Sequence, residues 1–311
     1  MQEKKRILIT GARGFIGRSI VESYRVSAAD TYELFYPYHA ELELTYSYAV
    51  RNYIKDKGIE IILHCASIGG TRKTDYDIHK TDVVAVNLLM FFNVVRCSDI
   101  VNKIIYFGSG AEYSKPHFLP LMKEDYFDIH VPIDPYGFSK YVCSKYAERA
   151  DRITNLRLFG VFGKYEDHAI RFISNAILKN MYGLPIVINQ NVNFDYLYVE
   201  DLVRLTSHFI DNKVTDKTFN MCTGSVIDLV SIAGIINEVG GNESDILIKN
   251  PGLNKEYSGD NTRLLKEQGN FKFTTMKDAI AELYTYFKAN AGKYDRKILE
   301  NDEYIKFCKI L

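Results

Sequence analysis

The sequence has no excess charge of either sign: 39 lysines and arginines are matched by 39 aspartates and glutamates. A neutral total gives no support to nucleic acid or an anionic membrane as a partner, while leaving room for a local phosphate pocket. Cysteines are few and scattered, at Cys65, Cys97, Cys143, Cys222 and Cys308, with no CxxC pair. That spacing argues against a zinc site or a disulfide framework and for a reducing compartment. No apolar run approaches the ~20 residues of a membrane helix. The short run Ile7-Leu8-Ile9 lacks the length and cleavage site of a signal peptide. A cytoplasmic protein without a metal is expected. There is also no Pro/Ser-rich linker and no internal repeat. A second lobe should therefore be woven into the first by insertions.

With 311 residues, 47% hydrophobic and 25% charged, the chain can build one large or two small domains with a sizeable core. Strand-like and helix-like segments alternate through the first half. Residues 6–10, 33–36, 59–64 and 103–107 read as strands; 15–24, 48–57 and 83–96 read as helices. This alternation implies a Rossmann-type, doubly wound parallel sheet. The apolar run at 59–63 suits a strand covered on both faces. Later segments are looser: a strand at 155–159, a helix at 171–180, a short strand at 185–188, and helices at 226–239 and 276–289. The expected division is a dinucleotide-binding domain over 1–165, rejoined by 189–215. A smaller α/β substrate lobe would comprise 166–188 and 216–311. The tail, 294–311, reads as a terminal helix or a frayed end.

The first strand runs into Gly11-Ala12-Arg13-Gly14-Phe15-Ile16-Gly17, a GxxGxxG variant of the dinucleotide fingerprint. Gly11 permits a tight turn, Gly14 lets backbone approach a pyrophosphate, and Gly17 lets the helix lie close to the sheet. Phe15 and Ile16 open that helix, whose N–H groups and positive dipole end suit phosphates. An acid binding the ribose 2′-OH often follows the second strand. Tyr36-Pro37-Tyr38-His39 offers none. Arg13 could pair with a 2′-phosphate instead, or be a solvated loop cation. The cofactor expected is NADP(H), with NAD(H) as the alternative.

Asp134-Pro135-Tyr136-Gly137-Phe138-Ser139-Lys140 is the second signal. Asp134 suits an N-cap and Pro135 the first helical position, so Tyr136 and Lys140 share one helix face. An ammonium beside a phenol favours the phenolate, so Tyr136 can pass a proton while hydride moves at the same carbon. Lys140 would also hold the nicotinamide ribose. Ser109, at the end of Lys103-Ile104-Ile105-Tyr106-Phe107-Gly108-Ser109, would hydrogen-bond the reacting oxygen.

These motifs, in this order, resemble the extended short-chain dehydrogenase/reductase family of nucleotide-sugar epimerases, dehydratases and reductases. His39-Ala40-Glu41-Leu42-Glu43-Leu44, His64-Cys65-Ala66-Ser67-Ile68-Gly69-Gly70 and the 101–109 strand are similar to its GDP-fucose synthase branch of 4-keto reductases. The resemblance implies cofactor contacts at His39, Cys65, Ala66, Ser67 and Asn87, the last beneath the nicotinamide side. It implies substrate contacts at Gly110 and Ala111. His168 resembles a general acid of that branch, and equally suits a surface histidine. Asp195-Tyr196-Leu197-Tyr198-Val199-Glu200-Asp201 resembles the family segment that re-enters the cofactor lobe, with Asp201 as a helix cap.

Three departures refine the reading. The position where relatives carry a phosphate-binding arginine is Phe194, leaving Arg171, Lys179 or Arg263 as substitutes. The branch's epimerising cysteine is replaced by Ala111, which favours simple C4 reduction over double epimerisation. The dehydratase Asp-Glu pair is replaced by Gly110-Ala111, and Glu112 is expected on the opposite face of the strand. The expectation is NADPH-dependent reduction of a 4-keto group on a nucleotide-linked deoxy- or heptose-type sugar. The alternatives are a 4-epimerase with tightly bound NAD or a non-catalytic NAD(P)-binding sensor. Helices 83–96 and 136–150 are candidates for a homodimer interface.

Overall fold

The structure, a computed structural model, describes residues 3–70, 82–269 and 271–308. Six parallel strands form its central sheet. They are β1 (Lys5–Thr10), β2 (Tyr32–Phe35), β3 (Ile61–His64), β4 (Lys103–Ser109), β5 (Ile153–Leu158) and β10 (Thr218–Met221), in the order β10-β5-β4-β3-β1-β2.

Period-two alternation sends successive side chains to opposite faces. Ile7, Ile9, Leu63 and Phe107 enter one core with α1 (Phe15–Ser27) and α6 (Val199–Asp211). Leu8, Ile62, Ile104 and Tyr106 enter another with α2 (Ser47–Asp56), α3 (Val83–Val95) and α4 (Pro135–Ala147). The fold is thus the doubly wound α/β sheet expected. Burying one such Ile or Leu contributes about 1.5–3 kcal/mol, which is why this short apolar pattern fixes the register.

A third core gathers α5 (Phe172–Met181), α7 (Leu229–Gly240) and α9 (Met276–Ala289) over the paired strands β7 (Ile186–Asn191) and β12 (Ile246–Leu253). Two minor pairs stitch the lobes: β6 (Gly160–Phe162) with β9 (Tyr196–Tyr198), and β8 (Asn193–Phe194) with β11 (Ile227–Asp228). Strand β10 extends the returning segment beyond residue 215, and α8 (Thr262–Gln268) adds Leu264 to the same core. Thr218-Phe219-Asn220-Met221 is too short and mixed to announce a strand. Its edge place follows from pairing with β5. The tail folds as α10 (Arg296–Glu300) and α11 (Glu303–Lys306); residues 309–311 lie outside the described residues. No helix among the described residues is long and apolar enough to cross a membrane.

Candidate active site

The glycine loop turns at Gly11, whose φ of +65° favours glycine. A Cβ on Gly17 would lie 2.5 Å from the Gly11 carbonyl oxygen, so α1 approaches the turn as only glycine allows. Gly14 N-caps α1 and donates its N–H to the Gly11 carbonyl at 2.9 Å. No side chain caps the helix, leaving its first-turn N–H groups directed at the space above the loop. Phe15 and Ile16 are half-buried and pack toward the core of α5, α7 and α9. Arg13 is exposed, its guanidinium 3.8 Å from the ring centroid of Tyr38. His39 points into solvent and meets Glu43 at 2.8 Å. Glu41 folds back to accept the Tyr38 N–H at 2.6 Å.

At the end of β3, the Ala66 N–H donates to Thr10 Oγ1 at 3.2 Å. Burial pushes the Cys65 thiol up, which keeps it neutral. Asn87 is buried and acts as a clasp. Its Oδ1 accepts the Ile68 N–H at 2.9 Å and lies 3.4 Å from Ser67 Oγ. Its Nδ2 donates to the Ile68 carbonyl at 2.9 Å and to Ser139 Oγ on α4 at 3.1 Å. The nearby His64 is buried against Tyr106. Desolvation, aided by Lys140, lowers its pKa to about 3, and its Nδ1 lies 2.9 Å from Thr10 Oγ1.

Helix α4 begins as its sequence implies: Asp134 accepts the Gly137 N–H at 3.0 Å and Pro135 occupies the first turn. Tyr136 then stands over the Gly69-Gly70 turn, so closely that a Cβ on Gly70 would lie 2.7 Å from its Cζ. Lys140 is buried, donates to the Phe107 carbonyl at 2.8 Å and lies 5.8 Å from the Tyr136 ring centroid. Ser109 closes β4, and its Oγ accepts the Ala111 N–H at 3.2 Å. The structure thus brings Tyr136, Lys140 and the Ser109 strand end to one cleft edge, together with Gly110 and Ala111. Arg171 joins them, donating to the Gly70 carbonyl at 3.2 Å.

Other expected residues are engaged elsewhere. Lys179 is buried and pairs with Asp302 at 2.8 Å, fastening α5 to the tail. Arg263 pairs with Asp125 at 3.2 Å and donates to the Thr218 carbonyl at 3.2 Å. His168 packs edge-on against Tyr294, 5.1 Å between centroids, in the aromatic cluster of the second lobe. Phe194 packs at a tilt on Tyr196 at 5.1 Å and meets Tyr257 edge-on at 6.0 Å.

Glu112 corrects an expectation. The strand ends at Ser109, and residues 110–113 form a 3-10 turn, so Glu112 folds back instead of facing across a sheet. It accepts the Ser109 N–H at 2.8 Å, Ser144 Oγ at 2.6 Å and Arg157 Nε at 2.6 Å. Arg157 is wholly buried and also donates to the Tyr113 hydroxyl at 2.6 Å. The Ser-x-x-Glu spacing was the available signal for this capping box. Tyr257 was also missed; its hydroxyl end meets Gly110, where an added Cβ would lie 3.0 Å from Cζ. Buried Glu166 titrates near the cleft: desolvation, opposed by Arg171, raises its pKa to about 7.

The sequence profile of the NAD dependent epimerase/dehydratase family matches residues 7–222. This chain belongs to that family. A putative UDP-glucose 4-epimerase of Methanocaldococcus jannaschii is 26% identical over 259 residues, covering 75% of this chain and 82% of that protein. A GDP-L-fucose synthase of Sinorhizobium fredii is 26% identical over 269 residues, covering 78% and 82%. Among solved structures, a GDP-L-fucose synthetase from Naegleria fowleri superposes with a TM-score of 0.80 at 15% identity, covering 95% of this chain and 96% of that one. That likeness is one of fold.

Proposed function

We propose that this epimerase/dehydratase family member is an NADPH-dependent reductase of a 4-keto group on a nucleotide-linked sugar, deoxy- or heptose-type. The carrying observation is the convergence of Tyr136, Lys140 and Ser109 beside the glycine cradle. The cradle fits a dinucleotide: it has no room for side chains at Gly11 or Gly17, and α1 has no side-chain cap. Gly11, Gly14 and Gly17, with the α1 N–H groups, would hold the pyrophosphate. Arg13, stacked on Tyr38, would meet a 2′-phosphate, which favours NADP(H) over NAD(H).

A nicotinamide bound on this cradle would supply the hydride for the carbonyl carbon. Tyr136 gives its phenolic proton to the carbonyl oxygen, so the ketone gains one hydride and one proton and leaves as an alcohol. Ser109 donates a hydrogen bond to the same oxygen. Lys140, anchored on the Phe107 carbonyl, keeps two N–H donors for the phenol side and the cofactor ribose. Ala111, in place of a thiol, offers no base for a prior epimerisation. Leu89 on α3 and Tyr146 on α4, 48% and 43% exposed, fit the homodimer interface expected for these helices.

The test is loss of NADPH absorbance with a set of NDP-4-keto sugars, followed by product NMR. Stoichiometric consumption with a 4-hydroxy product, abolished in Tyr136→Phe, is expected. The likeness to a putative UDP-glucose 4-epimerase favours one second reading. Interconversion of C4 epimers without net NADPH loss would establish it in place of the first. Silence with both substrate sets would overturn the nucleotide-sugar reading.

A further inference from the structure

A serine at the start of a helical turn uses its oxygen to accept the turn's own N–H groups. Ser109 is such a cap. Its Oγ accepts the Ala111 N–H at 3.2 Å, and its backbone is extended, with φ −151° and ψ 144°. A hydroxyl has one hydrogen and two lone pairs. The hydrogen does not lie along the incoming N–H, so it is left for another acceptor. The serine backbone is held by the other arm of the capping box: Glu112 Oε1 accepts the Ser109 N–H at 2.8 Å.

That arm is itself held from outside the turn. Glu112 Oε2 accepts Ser144 Oγ at 2.6 Å, from α4, the helix that carries Tyr136 and Lys140. The same oxygen accepts Arg157 Nε at 2.6 Å, from β5. Arg157 is fixed in turn by the Tyr113 hydroxyl at 2.6 Å and by the rings of Tyr113 and Phe127, each centroid 4.6 Å from the guanidinium carbon. Gly108, immediately before the serine, leaves room for the carboxylate: an added Cβ would collide with Oε1. One carboxylate thus joins the Ser109 strand end, α4 and β5. Both members of the ion pair have no solvent exposure. Well-packed neutral residues in place of a buried pair are often as stable or more so. Stability alone therefore gives this pair no reason to stand behind Ser109, whereas fixed geometry does.

We propose that Glu112 is a positioning residue of the reaction centre: held by Arg157 and Ser144, it fixes the Ser109 backbone so that the serine hydrogen is aimed at the substrate oxygen. The inference rests on the reductase reading above, which gives Ser109 that oxygen. Glu112 acts through the serine and exchanges no proton.

Two double variants isolate the acceptor arm, because both remove the buried charges together. Glu112→Gln with Arg157→Met keeps an acceptor for the Ser109 N–H, and Glu112→Leu with Arg157→Met does not. With an NDP-4-keto sugar that the wild type turns over, the glutamine pair should hold kcat within about twofold. The leucine pair should lose about tenfold to a hundredfold in kcat, the scale of a misplaced oxyanion donor. KM should stay within about twofold, since the aimed hydrogen bond strengthens only as charge develops. NADPH affinity should match the wild type in both. Gly108→Ala keeps every charge and displaces the carboxylate, so it tests the same arm where the leucine pair fails to fold, and its kcat should fall by a similar factor. In a Ser109→Ala background, followed by single turnover, either change should cost less than about twofold. Equal kcat in the two double variants, an undiminished Gly108→Ala, or a loss that persists without Ser109 overturns the inference while the wild type still turns over. A wild type that turns over no NDP-4-keto sugar overturns the reductase reading, and this inference with it.

Discussion

Replacing Arg157 with methionine tests whether the buried charges behind Ser109 form one unit. Both Arg157 and Glu112 have no solvent exposure. Glu112 accepts from three donors, and the substitution removes the only charged one, leaving the Ser109 N–H and Ser144 Oγ. Breaking a buried ion pair by removing one partner costs about 3–5 kcal/mol, because the remaining charge stays desolvated. The Tyr113 hydroxyl also loses its Arg157 donor, worth about 1 kcal/mol. Its bond to Asn220 Oδ1 at 2.7 Å remains. Two surviving donors on Glu112 place the ion-pair loss at the lower end of that span, about 3 kcal/mol, and the total at about 4 kcal/mol.

The double variant Glu112→Gln, Arg157→Met should recover most of this. Glutamine keeps an acceptor for the Ser109 N–H, and methionine fills the arginine's length without charge. Replacing a whole buried pair by neutral groups of similar volume is often nearly neutral, so stability within about 1–2 kcal/mol of the wild type is expected. Urea unfolding at pH 7, followed by circular dichroism, measures both. A single variant costing under about 1 kcal/mol, or a double variant no better than the single, would refute the reasoning.

Arg13→Ala should weaken NADPH binding about tenfold and NADH binding less than about twofold, by titration calorimetry. Equal losses would deny Arg13 a role at the 2′-phosphate. Glu166 gives a pH signature. Its pKa rises from 4.5 to about 7 through burial, so the folded state binds the extra proton between these values. Wild-type stability from this group is present below pH 4.5 and lost as pH rises through 7, by about 3 kcal/mol at most. Glu166→Gln should therefore gain stability relative to the wild type between pH 5 and 8 in parallel urea titrations. A pH-independent difference would show that the site is not desolvated. His64 acts oppositely in the wild type, losing stability as pH falls from 6.5 toward 3, which is why the difference between variants is the quantity to follow.

The parts of the molecule legible in the sequence are those set by local chemistry. Strand β1, the glycine turn and the capped start of α4 each carry their cause within about ten residues. The parts that were not legible depend on distant partners. Strand β10 owes its place to β5, and β12 to β7. Neither has the long apolar run that marks a doubly covered strand. Glu112 stands between these cases. Continuing the alternation of β4 past Ser109 sent it to the wrong face, although Ser109 and Glu112 have capping-box spacing. The lone arginine in Ile153–Leu158 was the second clue, since a buried cation in an apolar strand requires a buried anion.

The three cations considered as replacements for the arginine at Phe194 show the same limit from the functional side. Each is an exposed-looking basic residue in sequence, and what separates them is the charge each already meets. Lys179 is buried and already paired with Asp302, which fastens α5 to the tail. Arg263 spans Asp125, Glu124 and a backbone carbonyl at the far end of β10. Arg171 is exposed and donates to the Gly70 carbonyl, on the turn over which Tyr136 stands. Glu166 lies beside it, its pKa raised to about 7 by burial. A substrate phosphate is the group that the proposed chemistry brings to that edge of the cleft.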